Sequence, residues 1–141
     1  MKIFLATSFS GKVDETGAVL PEFRKLLEWL LSALRQTGHE VHCAVESEGW
    51  VISDLDPEVG ATEDLSIIDG ADCFIGLLSN NISAGLQFEL GYAVHAGKKV
   101  IFIPEANTKL GWFNQGVVNA GWAELCSVDE LASKLKEAPL A

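Results

Sequence analysis

The chain is poor in basic residues and has no long apolar run. Of its 141 residues, 10 are Lys or Arg and 20 are Asp or Glu, which gives a formal net charge of −10 at pH 7. Nucleic-acid binding relies on basic surface that neutralises phosphates, so this balance argues against a nucleic-acid partner. No apolar run reaches membrane length, and the N-terminal segment MKIFLATSFSG has too few apolar residues for a secretory signal. We expect a soluble cytoplasmic protein with no membrane partner.

Cysteine and histidine are also scarce. The sequence holds three cysteines, Cys43, Cys73 and Cys126. Their odd number and wide spacing predict buried free thiols in a reducing compartment rather than disulfides. The three histidines are scattered, and no group of Cys and His has the spacing of metal ligands. We therefore expect neither a metal nor a cofactor.

Strand-length apolar segments alternate with helical patterns along the chain. We predict strands at 2–7, 40–45, 72–78, 98–104 and 123–128. We predict helices from Pro21 to just before Gly38, at 58–68, at 83–97 and at 128–138, with none between the last two strands. This order indicates a single α/β domain over 1–141. Its predicted fold is doubly wound, flavodoxin-like (Rossmann-like) and three-layered, with a five-stranded parallel sheet of order 2-1-3-4-5.

The loops at the carboxyl ends of the strands form the predicted ligand site. In a doubly wound sheet, ligands bind at the switch point, which lies here between the first and third strands. This rule places loops 8–20, 46–57 and 79–85 around one crevice.

Small, polar and aromatic residues occupy these loops. The candidates for substrate binding are Ser8, Phe9, Gly11, Lys12, Trp50, Ser83 and Gly85. Trp50 can stack on a flat ligand, although a loop tryptophan is more often a packing anchor. Ser83 suits the N-cap of the following helix, and Gly85 lets the backbone come close to a ligand. The helix start would then offer free N–H groups and a dipole that favours an anion.

A lone acid, Glu89, stands in the otherwise apolar segment 77–103. It follows Gly85 by four residues, so the two share one face of the helix. One interpretation is an acid on a solvent-exposed stripe, although Gln87 and His95 are the only other candidates for such a stripe. The other is a carboxylate beside the crevice that acts as a nucleophile or base. The pattern alone leaves both open.

A second acid precedes the third strand. Asp64 lies on the predicted helix 58–68 and can face Glu89 if that helix begins at the crevice. The alternative for Asp64 is a solvated charge on a helix. Asp72 falls at the opposite end of the sheet, where we predict a loop or capping role.

Three segments together resemble a known family. They are FLATSFSG, TEDLSIIDGADCFIGLL and SAGLQFELGYAVHAGKKVIFI. They resemble the nucleoside 2-deoxyribosyltransferase superfamily, whose hallmark corresponds here to Ser83, Gly85, Glu89, Gly91 and Ala93. The likeness runs from residue 2 to about 104. It is greatest to the branch that hydrolyses nucleoside 5′-monophosphates, such as CMP hydrolases.

The resemblance implies a role for each matching residue. Glu89 corresponds to the glutamate that attacks the anomeric carbon, and Asp64 to the aspartate that helps the base depart. Ser83 and Gly85 match positions that hold the 5′-phosphate. The first loop has no arginine, so phosphate binding would rest on Lys12 and the helix start.

The resemblance also implies an assembly and a reaction. Members complete their site with a residue of a neighbouring subunit, for which Asn114 is the candidate, so we expect a homodimer or higher homo-oligomer. The expected function is an N-glycosidase that hydrolyses a pyrimidine or modified nucleoside 5′-monophosphate. The alternatives are a deoxyribosyltransferase that exchanges bases and a non-catalytic nucleotide-binding module.

Overall fold

A computed structural model describes residues 1–9, 11–52 and 56–137. Its strands are β1 (Lys2–Thr7), β2 (Glu40–His42), β3 (Cys73–Leu78), β4 (Lys99–Pro104) and β5 (Glu124–Leu125). Its helices are α1 (Pro21–Gln36), α2 (Ala44–Ser47), α3 (Pro57–Gly70), α4 (Ala84–His95), α5 (Trp112–Asn119) and α6 (Val128–Glu137). Residue 10 of the predicted first loop, residues 53–55 of the second and residue 138 of the predicted last helix lie outside the described residues.

The sheet is parallel throughout, with the order β2-β1-β3-β4-β5. This order confirms the predicted 2-1-3-4-5 arrangement. Leu5 and Ile75 belong to an apolar layer with α1 and α6, whereas Phe4 and Phe74 belong to a second layer with α3, α4 and α5. All six residues of β3 are buried, as expected of a central strand covered on both faces. Helices therefore cover both faces of the sheet and produce the predicted three layers.

Helices α3 and α4 both begin at the carboxyl edge of the sheet. Asp56 caps α3 by accepting hydrogen bonds from the N–H groups of Glu58 (2.9 Å) and Val59 (3.4 Å). Ser83 caps α4 by accepting one from the N–H of Leu86 (3.2 Å). The two helices pack side by side, so residues in the middle of one can face residues in the middle of the other.

The second strand is shorter than predicted. It covers Glu40–His42 instead of 40–45, because the chain turns into the short helix α2 at Ala44. β2 is an edge strand whose only neighbour is β1, so little strand pairing holds the segment extended. The guanidinium of Arg35 binds both carboxylate oxygens of Glu46, at 2.8 and 2.6 Å, and thereby fixes the helical turn against α1.

The connection between β4 and β5 contains a helix, so the prediction that this segment has none was wrong. Helix α5 covers Trp112–Asn119. Gly111 just before it and Gly116 within it weaken the helical pattern in the sequence. Parallel neighbouring strands need a crossover connection, usually a helix, and this rule could have revealed it. β5 is also shorter than predicted, at Glu124–Leu125 instead of 123–128.

The cysteines and Asp72 agree with the predictions. All three cysteines are free and buried. At the amino edge of the sheet, the Lys2 N–H donates to the Asp72 carboxylate at 2.7 Å, which fits the capping role predicted for Asp72. None of the helices in the described ranges has both the length and the apolar character needed to cross a membrane.

Candidate active site

Two carboxylates, Glu89 of α4 and Asp64 of α3, line the same pocket. The pocket has a volume of about 320 Å³ and lies between the two helices. It is lined by Ala61, Asp64, Leu65, Gly85, Phe88 and Glu89. The structure therefore brings together the two acids that the sequence suggested, with Gly85 beside them.

The same two carboxylates also line a smaller cavity at the carboxyl ends of the strands. Its volume is about 50 Å³. The rest of its wall comes from β1 and the following loop and from the start of α2: Phe4, Leu5, Ala6, Thr7, Phe9, Ala44 and Val45. This cavity lies at the predicted switch point. Glu89 and Asp64 thus connect the strand ends with the pocket between the helices.

Burial makes both acids hard to ionise, and Glu89 is also affected by the charge of Asp64. Burial, and to a smaller extent the negative charge of Asp64, raise the pKa of Glu89 to about 7. Burial also raises the pKa of Asp64, while the nearby His42 opposes this shift. Within the described part of the chain, neither carboxylate accepts a hydrogen bond. The pair is therefore partly protonated near neutral pH, and it can supply one charged and one neutral carboxyl group.

Ser8 and Ser83 join the first loop to the start of α4. The buried Ser8 Oγ accepts a hydrogen bond from the Ser83 N–H at 2.8 Å. The N–H groups of Ala84 and Gly85 have no acceptor among the described residues. A Cβ built on Gly85 would meet no protein atom within 4 Å. The helix start is thus open to a ligand, and two of its donors are available.

The first loop holds Lys12 away from bulk solvent. The Lys12 N–H donates to the carbonyl of Phe9 at 2.9 Å, and Gly11 between them has the left-handed φ of 72°. The Lys12 ammonium binds the Glu105 carboxylate at 2.8 Å and lies 5.0 Å from the ring centroid of Phe23. Lys12, which the sequence suggested as a residue that binds the phosphate, therefore already has an acidic partner.

Trp50 lies on the second loop in the left-handed conformation, with φ 66°. Its ring packs partly against the core, and the Arg24 guanidinium lies 4.8 Å from the ring centroid. The Arg24 side chain also pairs with Glu28 at 2.9 Å. Trp50 is therefore at least partly the packing anchor that a loop tryptophan usually is. Sequence reasoning missed Arg24 because it looks like an ordinary charge on the polar face of α1.

Asn114 has a different environment from the one expected of a residue that reaches a neighbouring subunit. Its side chain is only 4% exposed. Its amide and that of Gln87 exchange two hydrogen bonds, at 2.9 and 3.2 Å. Asn114 thus joins α5 to α4 within its own chain, and its role toward a neighbouring subunit stays a prediction.

Several residues at the site gave no functional signal in the sequence. Ala44 and Val45 reach the cavity because β2 ends early, and Glu105 meets Lys12 only through the fold. Phe88 could have been noticed as an aromatic residue next to Glu89; it is 67% exposed at the pocket. No group of three or more metal-binding side chains occurs among residues 1–9, 11–52 and 56–137.

Solved structures share this fold. The CMP N-glycosidase BcmB of Clostridium botulinum is 20% identical, with a TM-score of 0.69 over 97% of this chain and 96% of its own. BlsM, known from a solution structure, is 25% identical, with a TM-score of 0.73 over 96% of this chain and 85% of its own. A 2-deoxyribosyltransferase of Bacillus psychrosaccharolyticus is 20% identical, with a TM-score of 0.67 over the full length of both chains.

These structural neighbours are of the nucleoside 2-deoxyribosyltransferase-like superfamily. The resemblance seen in the sequence is thus confirmed at the level of the fold. No sequence-family model matches the chain, and no curated protein sequence does either.

Proposed function

We propose that this protein cleaves the N-glycosidic bond of a nucleoside 5′-monophosphate by hydrolysis, with Glu89 as nucleophile. The observation that carries this proposal is the pair formed by Glu89 and Asp64. The two carboxylates share one pocket, have no hydrogen-bond partner among the described residues and have raised pKa values. A partly buried acid pair of this kind is typical of a reactive site.

In the first step, the ionised Glu89 attacks the anomeric carbon of the sugar. A carbon–oxygen bond forms there while the carbon–nitrogen bond to the base breaks, and the electron pair of that bond leaves with the base. The raised pKa of Glu89 favours the proton of the pair on Glu89, and the reactive form is the one in which that proton has moved to Asp64. Asp64 then donates this proton to the departing base. The negative charge of Glu89 stabilises the positive charge that develops on the sugar.

In the second step, water attacks the anomeric carbon and Glu89 departs as a carboxylate. Asp64, now ionised, accepts the proton that the water loses. The sum of the two steps consumes one water and releases the free base and the sugar phosphate. Asp64 thus acts as an acid and then as a base, a role that suits a carboxyl group whose pKa is raised by burial.

A second candidate is base exchange. In that reaction another base, rather than water, attacks the glycosyl-enzyme intermediate. One of the structural neighbours is a 2-deoxyribosyltransferase, and the open pocket beside Glu89 has room for an incoming group. The two reactions share their first step, so they differ only in what resolves the intermediate.

We also infer that the protein lies in the cytoplasm and forms a homodimer or higher homo-oligomer. Large aromatic side chains near α4 and α5 support self-association, because Trp112 is 90% exposed and Phe113 65% exposed. Surfaces of this kind often mark protein–protein contacts.

The test is the release of free base. Purified protein is incubated with a panel of nucleosides and their 5′-monophosphates, with and without an acceptor base, and free base is measured by chromatography. Base released from a monophosphate without acceptor, and lost in the Glu89→Ala variant, is the expected result. Release only with an acceptor would identify a transferase. No turnover on any substrate would favour a nucleotide-binding module.

A further inference from the structure

An ion pair spans the carboxyl edge of the sheet above the end of β3. Lys12 lies in the loop after β1, Glu105 comes directly after β4, and their charged atoms are 2.8 Å apart. The N–H of Glu105 donates to the carbonyl of Leu78, the last residue of β3, at 2.8 Å. Because β3 lies between β1 and β4, the pair crosses the edge where α4 begins.

The pair is well sheltered. The Lys12 side chain is 26% exposed and that of Glu105 is 14% exposed. The centroid of the Phe23 ring lies 5.0 Å from the Lys12 ammonium. A charged side chain that is partly shielded from solvent interacts more strongly with nearby charges than one at the open surface.

Lys12 is the only Lys or Arg between residues 8 and 20. Two cations of α1 also have partners, since Arg24 pairs with Glu28 and Arg35 pairs with Glu46. The positive charge that the first loop could offer to a phosphate is thus cancelled by Glu105.

We propose that Glu105 is a specificity-determining residue, which sets the response of the site to a 5′-phosphate by neutralising Lys12. This inference rests on the proposed function, because it assumes that the sugar lies at Glu89 with its 5′ side toward the start of α4. A dianionic phosphate at that edge meets a neutral pair in the native protein. The N–H groups of Ala84 and Gly85, which have no acceptor among the described residues, then provide the main attraction for the phosphate.

The charge of the pair can be changed in both directions. Glu105→Gln leaves Lys12 with an uncompensated positive charge, whereas Lys12→Gln leaves Glu105 with an uncompensated negative charge. We therefore expect Glu105→Gln to favour the monophosphate and Lys12→Gln to disfavour it. The exchanged pair, Lys12→Glu with Glu105→Lys, keeps the edge neutral and serves as the matched control.

The measured quantity is a ratio that compares CMP with cytidine. For each variant, kcat/KM for base release from CMP is divided by that from cytidine at low ionic strength. We expect the ratio to rise about 10-fold in Glu105→Gln, to fall about 10-fold in Lys12→Gln and to stay within about threefold of native in the exchanged pair. Both shifts should shrink as salt is added.

Dissociation constants provide an independent readout. Calorimetry on the same variants combined with Glu89→Gln gives the CMP-to-cytidine ratio of affinities without turnover. If native protein releases no base from any substrate but the affinity ratios still shift in opposite directions, the proposed reaction fails and the inference about Glu105 stands.

Three results would overturn the inference. The first is an unchanged ratio in both single variants. The second is a shift in the same direction in both, since that would show the loss of a structural link rather than a charge effect. The third is no binding of either probe.

Discussion

Helices α3 and α4 meet at two acid-containing contacts that differ sharply. Toward the carboxyl edge of the sheet, Asp64 and Glu89 share a pocket and have no hydrogen-bond partner in the described part of the chain. Further along the same helices, the Tyr92 hydroxyl donates to Asp69 at 2.7 Å, and the Lys98 ammonium donates to the Asp69 carbonyl at 2.6 Å.

The difference separates a reactive contact from a structural one. The Asp69 carboxylate has a donor, and it raises the pKa of Tyr92 by holding the proton on the hydroxyl. The Glu89 carboxylate is partly buried next to a like charge, which costs stability when Glu89 is ionised. A protein keeps such a pair where a ligand or a reaction uses it.

The largest expected effect is that of Glu89→Gln on base release. Gln has nearly the same size but is a poor nucleophile, so the rate should fall by 10³-fold or more, which is on the order of 4 kcal/mol in the barrier. The matched control is Tyr92→Phe, on the same helix, which should keep the rate within about twofold. Steady-state assays of base release test both. Equal losses in the two variants would remove the distinction between the contacts.

Asp64→Asn should lower the rate by roughly 10²-fold, because Asn cannot donate a proton to the departing base. It should also move the acidic limb of the pH–rate profile of kcat/KM to lower pH. The native limb is expected near pH 7, the pKa of Glu89, and removing the charge of Asp64 lowers that pKa. The control is Asp69→Asn on the same helix, for which the limb should stay in place. A limb that does not move in Asp64→Asn would contradict the coupling of the two acids.

The two contacts should also affect folding stability with opposite signs. The pKa of Glu89 is about 7 in the folded state, against an ordinary value of 4.5. Its stabilising contribution is present below the ordinary value and is lost as pH rises through 7. Glu89→Gln should therefore become more stable than the native protein between roughly pH 5 and pH 8, by up to about 3 kcal/mol.

Tyr92→Phe should instead lower stability slightly over the same pH range, because the hydrogen bond to Asp69 is lost. Urea unfolding of native protein and both variants at several pH values measures these differences. A stability difference between Glu89→Gln and native protein that does not change with pH would show that burial does not raise the pKa of Glu89.

The smallest effect concerns Gly85 at the pocket wall. Ala at this position meets no protein atom within 4 Å and favours the helix, so Gly85→Ala should keep or raise the melting temperature. A ligand close to the backbone would collide with the new methyl group, and kcat/KM should fall about 10-fold. Gly116→Ala in α5 is the control, since its methyl group also meets nothing and is expected to leave activity intact. Unchanged activity in Gly85→Ala would place the ligand elsewhere.

Much of the fold could be predicted because it depends on local patterns. The apolar run of β3 and the spacing of Phe23, Leu27 and Leu30 in α1 are visible in the sequence, and the crossover rule then orders the strands. The early end of β2 is accompanied by the Arg35–Glu46 pair, which only the folded chain brings together. Helix α5 was missed because its glycines lower helix propensity while its packing against α4 restores it.

The site could be predicted only in part. Glu89 was visible as a lone acid in an apolar segment, and the topology indicated that Asp64 could lie near it. Neither the exchange of hydrogen bonds between Gln87 and Asn114 nor the neutralisation of Lys12 has a local signal. Such pairs arise between distant segments, so pattern and spacing do not reveal them.

The central claim is that Glu89 carries the sugar during the reaction. The most direct measurement is peptide mass spectrometry after rapid acid quenching of the protein with the nucleotide that releases base. We predict a glycosyl adduct on the peptide that contains Glu89, and no adduct in the Glu89→Gln variant. Base release with the adduct on another residue, or with no adduct under conditions that trap the intermediate, would contradict the account.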